Sequence, residues 1–483
     1  MLPNSPTESV PSASSPVRLV MTWIAILFAV VVAMVLQSAR HGEEPSEAAA
    51  SAQVEVAPLG LEAQLQAKVA IALNGLRSMS PAVQPADILR NVEPLRDSPN
   101  FAERLGYAVL VGEIEGLDAG ITSAAALATT NEPERTLRDA VLEVMEGRAK
   151  SEEAKPSEDA CAAIRPTLGY VAGVVCGDPA VEEAAMTMMI ALIVAGGWYV
   201  LAFLGGLIAL IIVTIALAKS TRAGVNPLAA TPRQTAIVLG ETFAIWLVAF
   251  FGLNIAAGLL GETLVGVLGL EGSPQGMHLG LALNITAFVG SLGVLAYPLM
   301  RGLRGSELRA VIGLDRGQGV VREALHGVAC YFSAVPLLLA GLLIYLLLAF
   351  IARTVFGHAP SPGHPVTELY QGADALRLAL VFLIAAVAAP VVEEIMFRGV
   401  LFSHLRATVT PRLRLVSLLV SAIVSSAIFA LIHPQGVLFA PALGGLAVGF
   451  CLYREWRGSL IAPMVAHGIN NAVTLTLGIM LMS

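Results

Sequence analysis

Two adjacent carboxylates and an arginine, Glu393, Glu394 and Arg398, stand inside an apolar stretch that begins near Leu378. Charged groups at such positions cost about 2.5–3.5 kcal/mol each on insertion scales, so a sequence that keeps three within six residues marks a functional site by default. On a helix advancing ~100° per residue, Glu394 and Arg398 fall within about 40° of one another, whereas Glu393 points about 100° away from Glu394. Glu394 is therefore expected to be neutralised by Arg398 while Glu393 faces elsewhere, as a carboxylate suited to general-base work. The plain alternative is a structural ion-pair cluster at a helix end, but an ion pair needs only one Glu.

Two further motifs follow, each in an apolar segment: Phe429 to His433, with Pro434 closing the helix behind it, and His467 to Asn471, which share one helix face at i, i+4. A single histidine on an apolar helix is most often a satisfied core residue. Two of them with an unpaired Glu and an Asn in the last four apolar segments describe either a metal site or a site that polarises a water. Amide hydrolysis needs these parts: a base for water, donors for the developing oxyanion and an acid for the leaving amine. Signatures of other intramembrane hydrolytic chemistries, H-E-x-x-H, G-x-S-G and G-x-G-D, are not found.

The elements that must position these groups are membrane helices. At 56% hydrophobic and 13% charged, with mean hydropathy +0.75, the 483-residue chain is far too apolar for a soluble protein. Nine stretches read as spans: Leu19–Leu36, Met186–Leu217, Thr235–Leu260, Leu279–Met300, Val328–Ile351, Leu376–Leu405, Leu415–Ile432, Val437–Leu452 and Leu460–Met482. The first reads as a retained anchor rather than a cleaved signal, because only Arg18 precedes its apolar run and no A-x-A directly follows. Basic residues cluster in alternate connections: Lys219, Arg222 and Arg233; Arg301, Arg304, Arg309, Arg316 and Arg322; Arg406, Arg412 and Arg414; Arg454 and Arg457. These belong inside, so the N-terminus is expected in the cytoplasm, the C-terminus outside, and the host membrane is expected to be the plasma (inner) membrane.

Between the first two spans lies the one region of soluble composition. Residues 41–190 carry 24 acidic against 11 basic side chains, a net charge of −13, whereas the whole chain carries −7. Residues 43–56 read as an Ala/Ser/Glu linker. Beyond them, apolar residues recur at helical spacing over Leu61–Leu76, Leu105–Ile114 and Leu137–Met145, which predicts a small extracytoplasmic helical bundle. Asp178-Pro179 followed by acidic residues marks a helix start that leads into the second span. Cys161 and Cys176 would meet there in a compartment that permits a disulfide, bridged or as two thiols, while Cys330 and Cys451 read as packing residues. The chain thus divides into a tail and anchor (1–39), the acidic helical domain (40–178), spans two to five (179–372) and a motif-bearing core (373–483), an all-α polytopic bundle.

In order and spacing, Glu393-Glu394-x-x-x-Arg398, Phe429-x-x-x-His433 and His467-x-x-x-Asn471 resemble the three motifs of the CPBP family of intramembrane proteases, which groups CAAX prenyl-protein endopeptidases with the bacteriocin-processing and immunity (Abi) proteins. The resemblance covers Leu376–Met482. It implies an intramembrane peptidase in which Glu393 with His433 activates a water, His467 and Asn471 bind a metal or stabilise the oxyanion, and Glu394, Arg398 and Phe429 give structural support. A divalent metal such as zinc, on His433, His467 and Glu393, is left open by that resemblance. The expected partners are the bilayer, a protein or peptide substrate and, through residues 40–178, an extracytoplasmic protein; nucleic acid is not among them. No sequence feature points to a prenyl group. The reading from another class is a non-proteolytic scaffold or transporter that keeps buried polar residues for structure or ion movement. One geometric tension is visible already. With straight helices, Glu393, His433 and His467 lie about 18, 27 and 10 Å from the inner ends of their spans, so a shared site demands tilted, staggered or broken helices.

Overall fold

The computed structural model describes residues 15–41, 56–77, 83–150, 156–222, 231–356, 373–409 and 413–482, and among them there is no strand. The helices are α1 (Ser15–His41), α2 (Leu61–Leu76), α3 (Pro85–Arg96), α4 (Phe101–Glu115), α5 (Leu117–Ala125), α6 (Glu132–Lys150), α7 (Glu158–Leu168), α8 (Tyr170–Cys176) and α9 (Pro179–Arg222). They continue with α10 (Arg233–Val267), α11 (Pro274–Gly290), α12 (Ala296–Met300), α13 (Gly305–Ile312), α14 (Val320–Phe356), α15 (Ala375–Thr408), α16 (Arg414–Leu431), α17 (Ala440–Arg457) and α18 (Ile461–Met482). Apart from Val56, the linker expected over 43–56 lies outside the described residues, as does most of the connection over 352–374.

The helices fall into two compact units, one of Met1–Gly42 with Trp198–Thr476, the other of Glu43–Gly197 with Leu477–Ser483. In the second, α2, α4 and α6 appear where apolar periodicity placed them. Their buried residues Ala67, Leu105, Val109 and Val141 share a core with Ile164 and Val171 from α7 and α8. The four short helices escaped the sequence because their apolar runs are too brief to show a period. Side-chain caps start α4 and α7: Asn100 accepts from the Ala102 amide at 2.9 Å and Ser157 from that of Ala160 at 3.3 Å. Cys161 and Cys176 are bridged, joining α7 to α8 across the turn at Gly169, whose φ of 52° suits glycine. Asp178 accepts from the Ala180 amide at 3.0 Å, so α9 begins at Pro179 as its cap and proline predict.

Among the described residues, eight helical stretches are long and apolar enough to cross a membrane. The expected ninth, α18, is a 22-residue helix that is not among the eight. In this unit α1 lies on α10: the Arg18 guanidinium donates twice to Glu241, at 2.8 and 2.7 Å, and Tyr297 Oη donates to the same carboxylate at 2.8 Å. The α14–α17 pair packs backbone to backbone. A Cβ added at Gly449 would stand 2.7 Å from that of Ala334, and one at Gly445 would run into the Leu337 carbonyl. Small residues four apart are the usual means of such approach between membrane helices.

Three of the arginines assigned to connecting loops are instead buried within the fold. Arg406 pairs with Glu455 at 2.7 Å, Arg457 with Glu323 at 2.7 Å, and the Arg454 guanidinium is 1% exposed.

The bridge gives the bundle of α2 to α8 a measurable dependence. Closing a loop of this length in the unfolded chain is worth about 3 kcal/mol. Cys161→Ser is therefore expected to lower the stability of residues 56–176 by about that amount, read from the urea dependence of their proteolysis in the full-length protein. Equal resistance in the wild type and the variant would show that the bridge contributes nothing.

Candidate active site

The motif helix α15 is not a regular α-helix. It is α-helical over Ala375–Phe382, widens to a π-helix over Leu383–Ala388, returns to α over Ala389–Glu394, and widens again over Ile395–Leu401. Wide turns change which face successive side chains present and are common at functional sites. They also need holding, because backbone polar groups in a membrane have no water to turn to. Side chains from three other helices supply the hold. Asn471 Nδ2 donates to the Ala385 carbonyl at 2.8 Å, Ser425 Oγ to that of Phe397 at 3.4 Å, and Arg454 Nε to that of Arg398 at 3.3 Å. Gly468 lets α18 reach the first wide turn, since a Cβ there would stand 2.7 Å from the Ala386 carbonyl.

The three residues meet despite the stagger that straight helices would impose. His433 lies just past the end of α16 at Leu431, turned back by Pro434, and its Nδ1–H donates to the Phe429 carbonyl at 2.5 Å. Its Nε2 comes within 3.7 Å of Glu393 Oε2. From α18, the Nε2 of His467 comes within 3.7 Å of the same oxygen. The expected trio Glu393, His433 and His467 therefore converges. At 3.7 Å these are not direct hydrogen bonds; they are the separations that one small molecule placed between the groups would bridge.

The two carboxylates have different surroundings. Glu394 is fully buried, and its Oε1 accepts from Arg398 Nη1 at 2.8 Å, the i, i+4 pair expected from the spacing, and from His467 Nδ1 at 2.9 Å. Glu393 keeps a side chain 12% exposed. Arg398 is boxed by aromatic rings, 4.5 Å from the centroid of Phe429, 5.2 Å from Phe450 and 6.0 Å from Phe397. Phe429 also stacks on His433 at 4.1 Å and meets His467 edge-on at 5.8 Å, so one ring orients the arginine and both imidazoles.

The acceptors on Nδ1 fix the tautomer of each neutral imidazole, so that Nε2 carries the lone pair facing Glu393. Two such nitrogens with a carboxylate are donors that suit a divalent cation, although among the described residues no three His, Cys, Asp or Glu are grouped closely enough to hold one as they stand. Asn471 sits differently from the catalytic donor expected of it: its amide nitrogen is on Ala385 and its oxygen accepts from Asn470 Nδ2 at 3.2 Å, so it braces the first wide turn. Sequence reasoning missed Ser425, Phe450 and Arg454. Ser425 was visible as a polar residue in a span and Arg454 was misassigned to a loop, whereas nothing distinguished Phe450 from other apolar residues.

Residues 375–473 match the family model described as type II CAAX prenyl endopeptidase Rce1-like. The match covers the three motifs and all of the residues that converge on Glu393, and leaves the rest of the chain outside it. No curated protein and no solved structure matches the chain. Together with the eight apolar helices, this Rce1-like domain makes the chain an integral, multi-pass membrane protein.

Removing one member of the buried pair strands the other. Arg398→Ala and Glu394→Ala are each expected to lower stability by about 3–5 kcal/mol, whereas Glu393→Gln, which breaks no ion pair with arginine, is expected to stay near wild type. Thermal unfolding of the three variants in one detergent checks this, and equal losses would show that Glu393 belongs to the same structural cluster.

Proposed function

We propose that the Rce1-like domain is the catalytic centre of an intramembrane endopeptidase in which Glu393 activates a water. The observation that carries the reading is the convergence of two imidazole Nε2 atoms on Glu393 Oε2, while Glu394 is engaged by Arg398 and His467. A water held between these groups would attack the peptide carbonyl carbon, its proton passing to Glu393. Collapse of the tetrahedral species would break the C–N bond as Glu393 returns that proton to the leaving nitrogen, giving a carboxylic acid and an amine. Glu394 stands behind His467 in the manner of the carboxylate of a catalytic triad. With a proton on its Nε2, that ring would face the developing oxyanion as a donor. Asn471, Ser425 and Arg454 position the helix rather than touch the reacting atoms.

A divalent cation such as zinc, bound by His433, His467 and Glu393, would supply Lewis-acid polarisation of the water. The substrate is a protein or peptide that reaches the bilayer interior. With the N-terminus cytoplasmic, residues 40–178 lie on the outer face of an inner membrane, where they would receive a protein partner or present a substrate.

The test works whatever the substrate is. Protein termini are compared in membranes from cells producing the wild type or Glu393→Gln at matched levels, with and without a chelator followed by zinc. Termini present only with the wild type are expected, and loss on chelation with recovery on zinc would assign the metal. Identical termini in the host of origin, with Glu393→Gln folding normally, would favour the scaffold reading.

A further inference from the structure

The arginines of this unit divide by use. Arg398, Arg406, Arg454 and Arg457 are buried and bond to carboxylates or carbonyls of the fold. The connection between the span that ends at Met300 and the one that begins at Val320 is different. It carries Arg301, Arg304, Arg309 and Arg316 against only Glu307 and Asp315. Neither Arg309 nor Arg316 forms an ion pair among the described residues, and both are exposed.

Both residues line an open cavity of about 470 Å³ beside α13. Ser306 adds a hydroxyl, while Leu314, Ile461 and Met464 form an apolar wall. Asp315 also borders the cavity, but its Oδ1 accepts from the Gly317 amide at 2.8 Å and its carbonyl from Ser459 Oγ at 3.0 Å, so it shapes the loop. Two arginines without an ion pair and a serine beside an apolar wall, in the connection between two apolar spans, suit a phosphate that carries acyl chains. Basic pockets between helix ends are where anionic headgroups are held. Each guanidinium can donate two hydrogen bonds to one phosphate.

We propose that the Ser306–Arg309–Arg316 cavity binds the phosphate headgroup of an anionic phospholipid, with its chains along Leu314, Ile461 and Met464. The floor of the cavity is joined to the motif helix. The Leu460 amide donates to the Gly313 carbonyl at 3.0 Å, Arg454 Nη2 donates to the Val311 carbonyl at 2.9 Å, and the Ile312 carbonyl lies 3.1 Å from where a Cβ on Gly399 would be. A headgroup that ties Arg309 to Arg316 therefore clamps the loop against α15 and stabilises the fold.

The experiment is thermal unfolding of the full-length protein in a neutral detergent with added phosphatidylglycerol, phosphatidylcholine or inorganic phosphate. Phosphatidylglycerol at saturation is expected to raise the midpoint by about 5 °C and phosphatidylcholine to leave it unchanged. The double variant Arg309→Gln/Arg316→Gln is expected to lose that rise while keeping the starting midpoint, and Arg322→Gln, outside the cavity, to retain it. Equal rises with both lipids, a rise that survives the double variant, or one that Arg322→Gln removes as well would overturn the site. A full rise with inorganic phosphate alone would assign the cavity to a free anion and overturn the lipid.

Discussion

The candidate site depends on one constraint: a helix that leaves regular α geometry twice inside a membrane must have its wide turns held by other helices. Water is absent from the bilayer core, so an irregular backbone survives only where protein donors reach it. Here Asn471, Ser425 and Arg454 come from three different helices and each lands on a carbonyl of a wide turn. The glycines follow from the same demand. Gly468 admits α18 to the first wide turn, and Gly399 within the second admits the end of α13. Shape and polarity of the neighbouring helices are thus set by the motif helix.

The adjacent carboxylates, in the regular turn between the two wide ones, are unlike one another. Side chains at successive positions already diverge by about 100° on a helix, and the local packing turns this divergence into two environments. Glu394 is fully buried and meets an imidazole N–H and the guanidinium of Arg398, which is itself boxed by Phe397, Phe429 and Phe450. Glu393 meets two imidazoles through their outward nitrogens and keeps some exposure. Since Glu394 bonds His467 on one side of the ring and Glu393 lies on the other, the buried ion pair orients the group that faces the exposed carboxylate. The two adjacent carboxylates thus meet opposite nitrogens of one imidazole.

Much of this was legible in the sequence because it rests on short, fixed spacings. The i, i+4 relation of Glu394 to Arg398, of Phe429 to His433 and of His467 to Asn471 follows from helix geometry and survives any error in where a span begins. The helices α2, α4 and α6 were legible for the same reason, each having enough turns to show a period. Convergence was not legible, since periodicity assumes a regular helix and carries no sign of a π turn. Arg454 was hidden by a rule that reads arginine near a span end as loop charge, which fails when the guanidinium turns back to a carbonyl. Asn471 was found by its motif, but its partner Ala385 could be known only once the wide turn was seen.

The buried arginines bear on how orientation is read from such a chain. The positive-inside argument counts side chains that remain hydrated near the membrane surface. Arg406, Arg454 and Arg457 do not, because each is enclosed and bonded to Glu455, to backbone carbonyls or to Glu323. Among the described residues, the arginines of the connection between Met300 and Val320 do stay exposed. The same side chains that would orient the chain line the cavity beside α13. Since that cavity shares its floor with the second wide turn of α15, the cavity and the buried site are linked through a few residues of backbone.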